Sequence, residues 1–294
     1  MYKQIDANKR KTWLLMLIFL IVIVGLAWVF AESNDLGYGF LALAVILAVI
    51  LNLFSYFKGD KVALAMSGAK PIQKQDNPYV YRMVENLCLT AGLAMPKIHL
   101  INDPNINAFA TGRKPALASI AITTGAIDKL ANEELEGVIA HELSHVKNYD
   151  IRLMMIVIIC IGIITLLADF FLRAQYFMGN RRSRENGNLG SVLMIVGLIL
   201  AILSPIFASL IQLAVSRKRE YLADASAALL TRYPEGLARA LEKIKIGNQP
   251  MAKANHATAH LFIASPFKPA AQAANLFSTH PPIDQRIARL RQMA

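Results

Sequence analysis

The sequence predicts a mainly α membrane protein, with four apolar helices joined to one water-facing α+β domain that holds a small sheet and a helix built around H-E-x-x-H. Three observations predict it. Four stretches contain no Asp, Glu, Lys or Arg: Thr12–Ala31, Leu36–Phe57, Leu153–Ala168 and Leu189–Ser216. The rest of the 294-residue chain carries all 31 basic and 20 acidic residues, the charge density of an ordinary soluble domain. Short β-rich runs cluster between Pro96 and Thr124, just ahead of the histidine helix. A 55 % apolar composition excludes a disordered or fibrous chain. The long apolar runs exclude a purely soluble enzyme, and the charged body excludes a many-pass transporter with little mass outside the bilayer.

The first two stretches each meet the requirement of about 20 apolar residues for a spanning helix. Only Glu32–Asp35 separates them, so residues 1–57 form a transmembrane hairpin. Val29-Phe30-Ala31 resembles a signal cleavage site, but the apolar run before it is too long for a cleavable signal, and the segment reads as an anchor. Lys3, Lys9, Arg10 and Lys11 precede the hairpin, Lys58 and Lys61 follow it, and its connector has no basic residue. The positive-inside rule then puts the N-terminus and the body from residue 58 in the cytoplasm.

Residues 58–150 form the first part of the water-facing domain. Three strands are expected within it, at Lys97–Ile101, Ile106–Ala110 and Ser119–Thr123. Residues 133–149, EELEGVIAHELSHVKNY, follow as an amphipathic helix built for water, with acids in its first turn. Residues 151–216 are a second apolar hairpin, and 217–294 complete the domain. Asp150 is expected to N-cap the helix of the third stretch. The loop between the third and fourth stretches carries Arg173, Arg181, Arg182 and Arg184, which favour the cytoplasmic side. Two crossings put that loop outside against the charge rule, and none leaves the pair re-entrant or packed on the domain; two crossings are expected, because the first anchor dominates orientation.

The net charge of +11 has no long basic run of the nucleic-acid type and reads as membrane-proximal charge facing anionic lipid. No nucleic-acid partner is expected. Cys88 and Cys160 show no disulfide or metal spacing.

His141 and His145 stand four apart, on one helical face, where two imidazoles reach a single Zn²⁺. Glu142 lies about 100° around the axis, placed to act as a general base on water rather than as a ligand. A catalytic zinc needs a third protein ligand. Glu220 and Asp224 are also four apart: Glu220 can ligate, and Asp224 can accept the spare N–H of a ligand histidine. The same spacing fits a surface acid pair, or pairing with Arg217 and Arg219. His256 and His260 read as part of a loop, and His99 as structural.

H-E-L-S-H-V-K-N-x-D (141–150) followed by R-E-Y-L-A-D (219–224), with four apolar spans interleaved, resembles the HtpX family of bacterial heat-shock membrane proteases, relatives of the CAAX prenyl proteases. Asn107-Ala108-Phe109-Ala110 and Ser278-Thr279-His280-Pro281-Pro282 match as well. The resemblance implies a zincin-like catalytic domain holding one Zn²⁺ per chain. It makes Glu220 the third ligand and places Asp224 behind a ligand histidine. It also implies that Asn107 and Ala108 pair with extended substrate through main-chain hydrogen bonds, and that His280, with Arg286, stabilises the oxyanion. The implied function is quality control of misfolded or damaged membrane proteins by a zinc endopeptidase of the bacterial inner membrane. The alternatives are a CAAX-type processing protease and a non-enzymatic scaffold.

Overall fold

The computed structural model describes residues 2–32, 37–160, 162–163, 169, 217–247, 249–251, 258–267 and 281–293. The fourth apolar stretch, the arginine loop, His256 and His280 lie outside the described residues. So does the question of how often residues 151–216 cross.

The described part is mainly helical. Helices α1 (Tyr2–Glu32) and α2 (Gly37–Met66) pack side by side as a hairpin. Ile5–Trp28 within α1, and the whole of α2, are long and apolar enough to cross a membrane. They are not core helices of a soluble body: Trp13, Leu17, Ile21, Leu43, Ile46 and Ile50 all point outward. The third apolar stretch begins within a helix over residues 150–160 (α6), which packs on the hairpin through Met155, Ile156 and Cys160 against Phe19, Ile23 and Ala48. Among the described residues, two helices of spanning length therefore stand where the sequence suggests four.

Along the chain, the segment between the hairpin and α6 supplies the sheet. Its strands are β1 (Lys70–Pro71), β2 (Lys97–Ile101), β3 (Ala108–Thr111) and β4 (Ser119–Thr123), in the order β1-β2-β4-β3. β2 and β4 run parallel, and the other pairs are antiparallel. The short β1 has no signal in the sequence. β3 starts two residues later than the apolar run suggests. Asn107, just ahead of it, gives its N–H to the Thr123 hydroxyl while its carbonyl accepts from the Thr123 N–H.

After α3 (Pro78–Ala91) and α4 (Thr124–Lys129) in the chain comes α5 (Asn132–Lys147), which one sheet face covers. Ile98, Ile120 and Ile122 meet Leu135, Val138, Ile139 and Leu143 there, and Leu237 and Leu241 of α8 (Pro234–Gly247) close the far side of α5. The other face holds Ile101, Phe109 and Ala121 against Ala63 and Leu64 of α2, Met154 and Ile158 of α6, and Phe262, whose ring meets Phe109 edge-on at 5.0 Å. The sheet is thus built directly onto α2 and α6.

One expectation is corrected here. α5 is not a water-facing amphipathic helix. Every residue from Gly137 to Val146 is buried, and water reaches chiefly its first turns and Lys147. Two features allow this. The acids Glu133 and Glu136 sit in the exposed first turns, and Gly137 lets the α8 backbone approach closely. A Cβ at 137 would lie 2.8 Å from the Leu237 nitrogen.

Candidate metal centre

α5 presents His141 and His145 one turn apart. α7 (Arg217–Thr231), packed across α5, brings Glu220 and Asp224 to the same place. His141 Nε2 lies 3.2 Å from His145 Nε2 and 3.8 Å from Glu220 Oε2, and His145 Nε2 lies 3.5 Å from Glu220 Oε1. All three residues are buried. Tetrahedral ligands at zinc–nitrogen distances of 2.0–2.1 Å stand about 3.3 Å apart, so these two nitrogens and one carboxylate suit a small divalent cation.

Each imidazole is held from behind. His141 Nδ1 lies 2.9 Å from Asp224 Oδ1, and His145 Nδ1 lies 3.0 Å from Asp150 Oδ2. Both histidines donate from Nδ1 to a carboxylate, which leaves Nε2 of each as the lone pair for a cation. Burial lowers the His141 pKa and Arg286 lowers it further, against the opposing pull of Asp224. Burial also works against a charged His145, but the hydrogen bond to Asp150 and the charges of Glu220, Asp150 and Glu142 outweigh it and raise its pKa to about 9 in the metal-free protein.

Glu142 is buried beside this cluster. Burial pushes its pKa up, and the Glu220 charge adds to that, while His145 and a hydrogen bond from the Ala110 N–H work the other way; the result is about 8. Edge strand β3 therefore touches the Glu142 carboxylate through its main chain.

Arg286 on α9 (Ile283–Arg291) is fully buried. Its guanidinium forks onto Asp224 at 2.9 and 2.7 Å, reaches the Ile263 carbonyl at 3.2 Å, and stands 3.8 Å from Glu220 Oε2. The Asp224 pKa, which burial alone would raise, is drawn down to about 2 by Arg286 and by the His141 hydrogen bond.

Asn107 and Ala108 lie at the open edge of the sheet, but their polar groups are engaged. The Ala108 carbonyl accepts from the Ile263 N–H at 3.0 Å, and the Asn107 side chain donates to the Ala264 carbonyl at 3.1 Å. Segment 258–264 covers that end of β3. His280 lies outside the described residues.

Three contributors, Asp150, Arg219 and Asn8, have roles at the site that the sequence does not show. Asp150, expected as a helix cap, instead turns its carboxylate toward His145. The left-handed Tyr149 just before it (φ 60°) turns the chain out of α5. Asn8 and Arg219 surround that carboxylate. The only hint of Asn8 in the sequence is an amide at the start of an apolar helix.

Residues 74–294 match Peptidase family M48. The whole chain is similar to curated proteases described as HtpX homologues. It is 44 % identical over 292 residues to that of Dictyoglomus thermophilum, covering 99 % of this chain and 94 % of the relative. It is 43 % identical to that of Caldanaerobacter subterraneus subsp. tengcongensis over 295 residues, covering 100 % and 98 %, and 44 % identical to that of Tropheryma whipplei over 293 residues, covering 100 % and 98 %. Its fold is similar to the crystal structure of S. mikatae Ste24p, with a TM-score of 0.53 and 20 % identity, covering 99 % of this chain and 67 % of the other. A cluster of two histidines and a glutamate that can hold a metal, two helices of spanning length and a family match over three-quarters of the chain converge: the chain belongs to Peptidase family M48 and is a membrane metalloprotease.

Proposed function

We propose that the protein is a zinc endopeptidase whose catalytic domain and N-terminus face the cytoplasm at a bacterial inner membrane, where it cleaves misfolded or damaged membrane proteins. The observation that carries this reading is the convergence of His141 Nε2, His145 Nε2 and the Glu220 carboxylate within 4.8 Å of one another, with Glu142 buried beside them. Packing of the catalytic domain on α2 and α6 supports a substrate that arrives from the bilayer.

His141, His145 and Glu220 would hold the ion. Two imidazoles and one carboxylate are a donor set that Zn²⁺ favours. Bound there, zinc supplies Lewis acidity toward a peptide carbonyl and an attacking water. Glu142 takes a proton from the water and delivers it to the departing amine. Burial keeps that carboxyl protonated in the metal-free protein, and a neighbouring cation favours the carboxylate that a general base requires. Asp224 and Asp150 fix the tautomers of the two imidazoles. His280 stabilises the negative oxygen of the tetrahedral intermediate. Arg286 supports this chemistry from behind, by holding Asp224 on His141.

The test is zinc quantification on purified wild type and Glu220→Ala, with casein cleavage measured in parallel. One zinc per wild-type chain, and loss of both zinc and cleavage in the variant, support the reading. Full zinc content in Glu220→Ala would overturn the ligand assignment, and chelator-insensitive cleavage by the wild type would overturn the metal mechanism.

A further inference from the structure

We propose that Asn8, on the first membrane helix, is a positioning residue of the metal centre. It ties the membrane anchor to His145 through Asp150. The inference rests on the zinc reading above. Asn8 lies about one turn inside Ile5–Trp28, the segment of α1 long and apolar enough to span the bilayer, yet its side chain is buried against the catalytic domain. Its amide nitrogen donates to Asp150 Oδ1 at 2.6 Å and to the Asn148 carbonyl at 3.0 Å. Its amide oxygen accepts from Arg219 Nη1 at 3.3 Å. Arg219 Nη1 also stands 3.5 Å from Asp150 Oδ1. The other oxygen of Asp150 takes the His145 Nδ1 proton.

The chemistry explains why an amide stands there. Asp150 is a buried carboxylate with two oxygens to satisfy. One faces a ligand histidine, and the other needs donors that do not compete for that proton. An amide supplies a donor to Asp150 and an acceptor to Arg219 at once, which no apolar side chain does. Arg219 precedes Glu220 in the chain, so the Asn8 side chain lies against the supports of two of the three ligands, from α6 and from α7. Lys9 over the Tyr149 ring at 4.9 Å and Leu15 against Leu153 and Val157 hold the same face of α1 on the α5–α6 corner. The anchor is therefore a structural part of the site and not only a tether.

The experiment uses the full chain in detergent micelles. Zinc affinity is measured by competition with a chelator for wild type, Asn8→Leu, Asp150→Asn and the double variant, with Lys11→Gln as a control on the same helix. The d–d spectrum of the cobalt-substituted proteins is recorded alongside. Asn8→Leu is expected to weaken zinc binding about tenfold and to shift the cobalt spectrum, Lys11→Gln to do neither, and the double variant to bind no more weakly than Asp150→Asn alone. If Asn8→Leu does not fold, Asn8→Ser, too short to reach Asp150, is measured in its place. Wild-type affinity and an unchanged spectrum in a folded Asn8 variant, or full additivity with Asp150→Asn, would overturn the proposal. A wild type that binds no zinc would instead overturn the functional reading on which it rests.

Discussion

Asp150 Oδ2 accepts a hydrogen bond from His145 Nδ1 at 3.0 Å across the corner that ends α5, so the first residue of α6 backs a candidate metal ligand. His141 has the matching partner in Asp224 at 2.9 Å, from a segment more than 80 residues away. Outer partners of metal-bound histidines set the tautomer and raise basicity, and removing them typically weakens metal binding 10- to 100-fold. Asp150→Asn keeps the shape and loses the charge. It is expected to weaken zinc binding by roughly that factor, read by chelator competition; an unchanged affinity would show that the contact does not support the metal.

Glu142→Gln separates binding from chemistry. The amide fills the same volume and leaves the three ligands in place, but it cannot accept the water proton. Cleavage of casein is expected to fall by several orders of magnitude while zinc content stays at the wild-type value. Full-rate cleavage by the variant would remove Glu142 from its role.

How much of this was legible in sequence depends on the range of each contact. His141 with His145, and Glu220 with Asp224, are pairs four apart on helices, so their shared faces follow from helix geometry. That the two pairs meet depends on α5 packing across α7, which no local pattern encodes. The three longer strands stood out as β-branched runs between turns, whereas β1 is two residues long and exists only through its pairing with β2. The burial of α5 was misread because its acids suggested water on one face, while the small residues that admit α8 carry no periodicity. Asp150 and Asn8 are polar residues at helix starts, where a local role is the simplest reading; their partners lie across the fold.

The pH dependence of the metal-free protein follows from Glu142 and His145. Glu142 has a folded-state pKa of about 8, raised from 4.5 mainly by burial. A raised pKa means that the folded state holds its proton more tightly than the unfolded state. The contribution is therefore complete below pH 4.5 and lost as pH rises through 8. His145, raised from 6.5 to about 9 because its carboxylate neighbours outweigh its burial, adds a loss in the same direction at higher pH. Chelator-treated wild type is expected to lose thermal stability steadily between about pH 5 and 8. Glu142→Gln is expected to be flatter over that window, with differential scanning calorimetry as the readout.

Arg286 and Asp224 form a buried, two-pronged ion pair. Removing the guanidinium strands the Asp224 carboxylate without its main counter-charge, a loss typically worth about 3–5 kcal/mol. Arg286→Met is expected to lower the melting temperature sharply and to loosen His141. Arg286→Lys is expected to rescue little, because an ammonium cannot make both contacts. Equal stability of the lysine variant and the wild type, in thermal melts of the full chain, would argue that charge alone matters there.

The last prediction concerns the close crossing of α5 and α8. A Cβ on Gly137 would meet the Leu237 nitrogen at 2.8 Å and its Cα at 3.0 Å, and one on Gly236 would meet the Glu133 carbonyl at 2.5 Å. The two helices touch backbone to backbone, so no side chain can swing aside to make room. Gly137→Ala must push α8 away from α5, and overpacking of this kind typically costs about 1–3 kcal/mol. The intrinsic helix preference of alanine over glycine acts the other way by about 1 kcal/mol, so the steric term is expected to dominate and the variant to melt lower than wild type. Because His141 lies one turn along the same helix, the displacement is also expected to reach the metal site. Weaker zinc binding and lower cleavage should accompany the lower melting temperature. A variant more stable than wild type would mean that the helices part at little cost and that the crossing does not constrain the site.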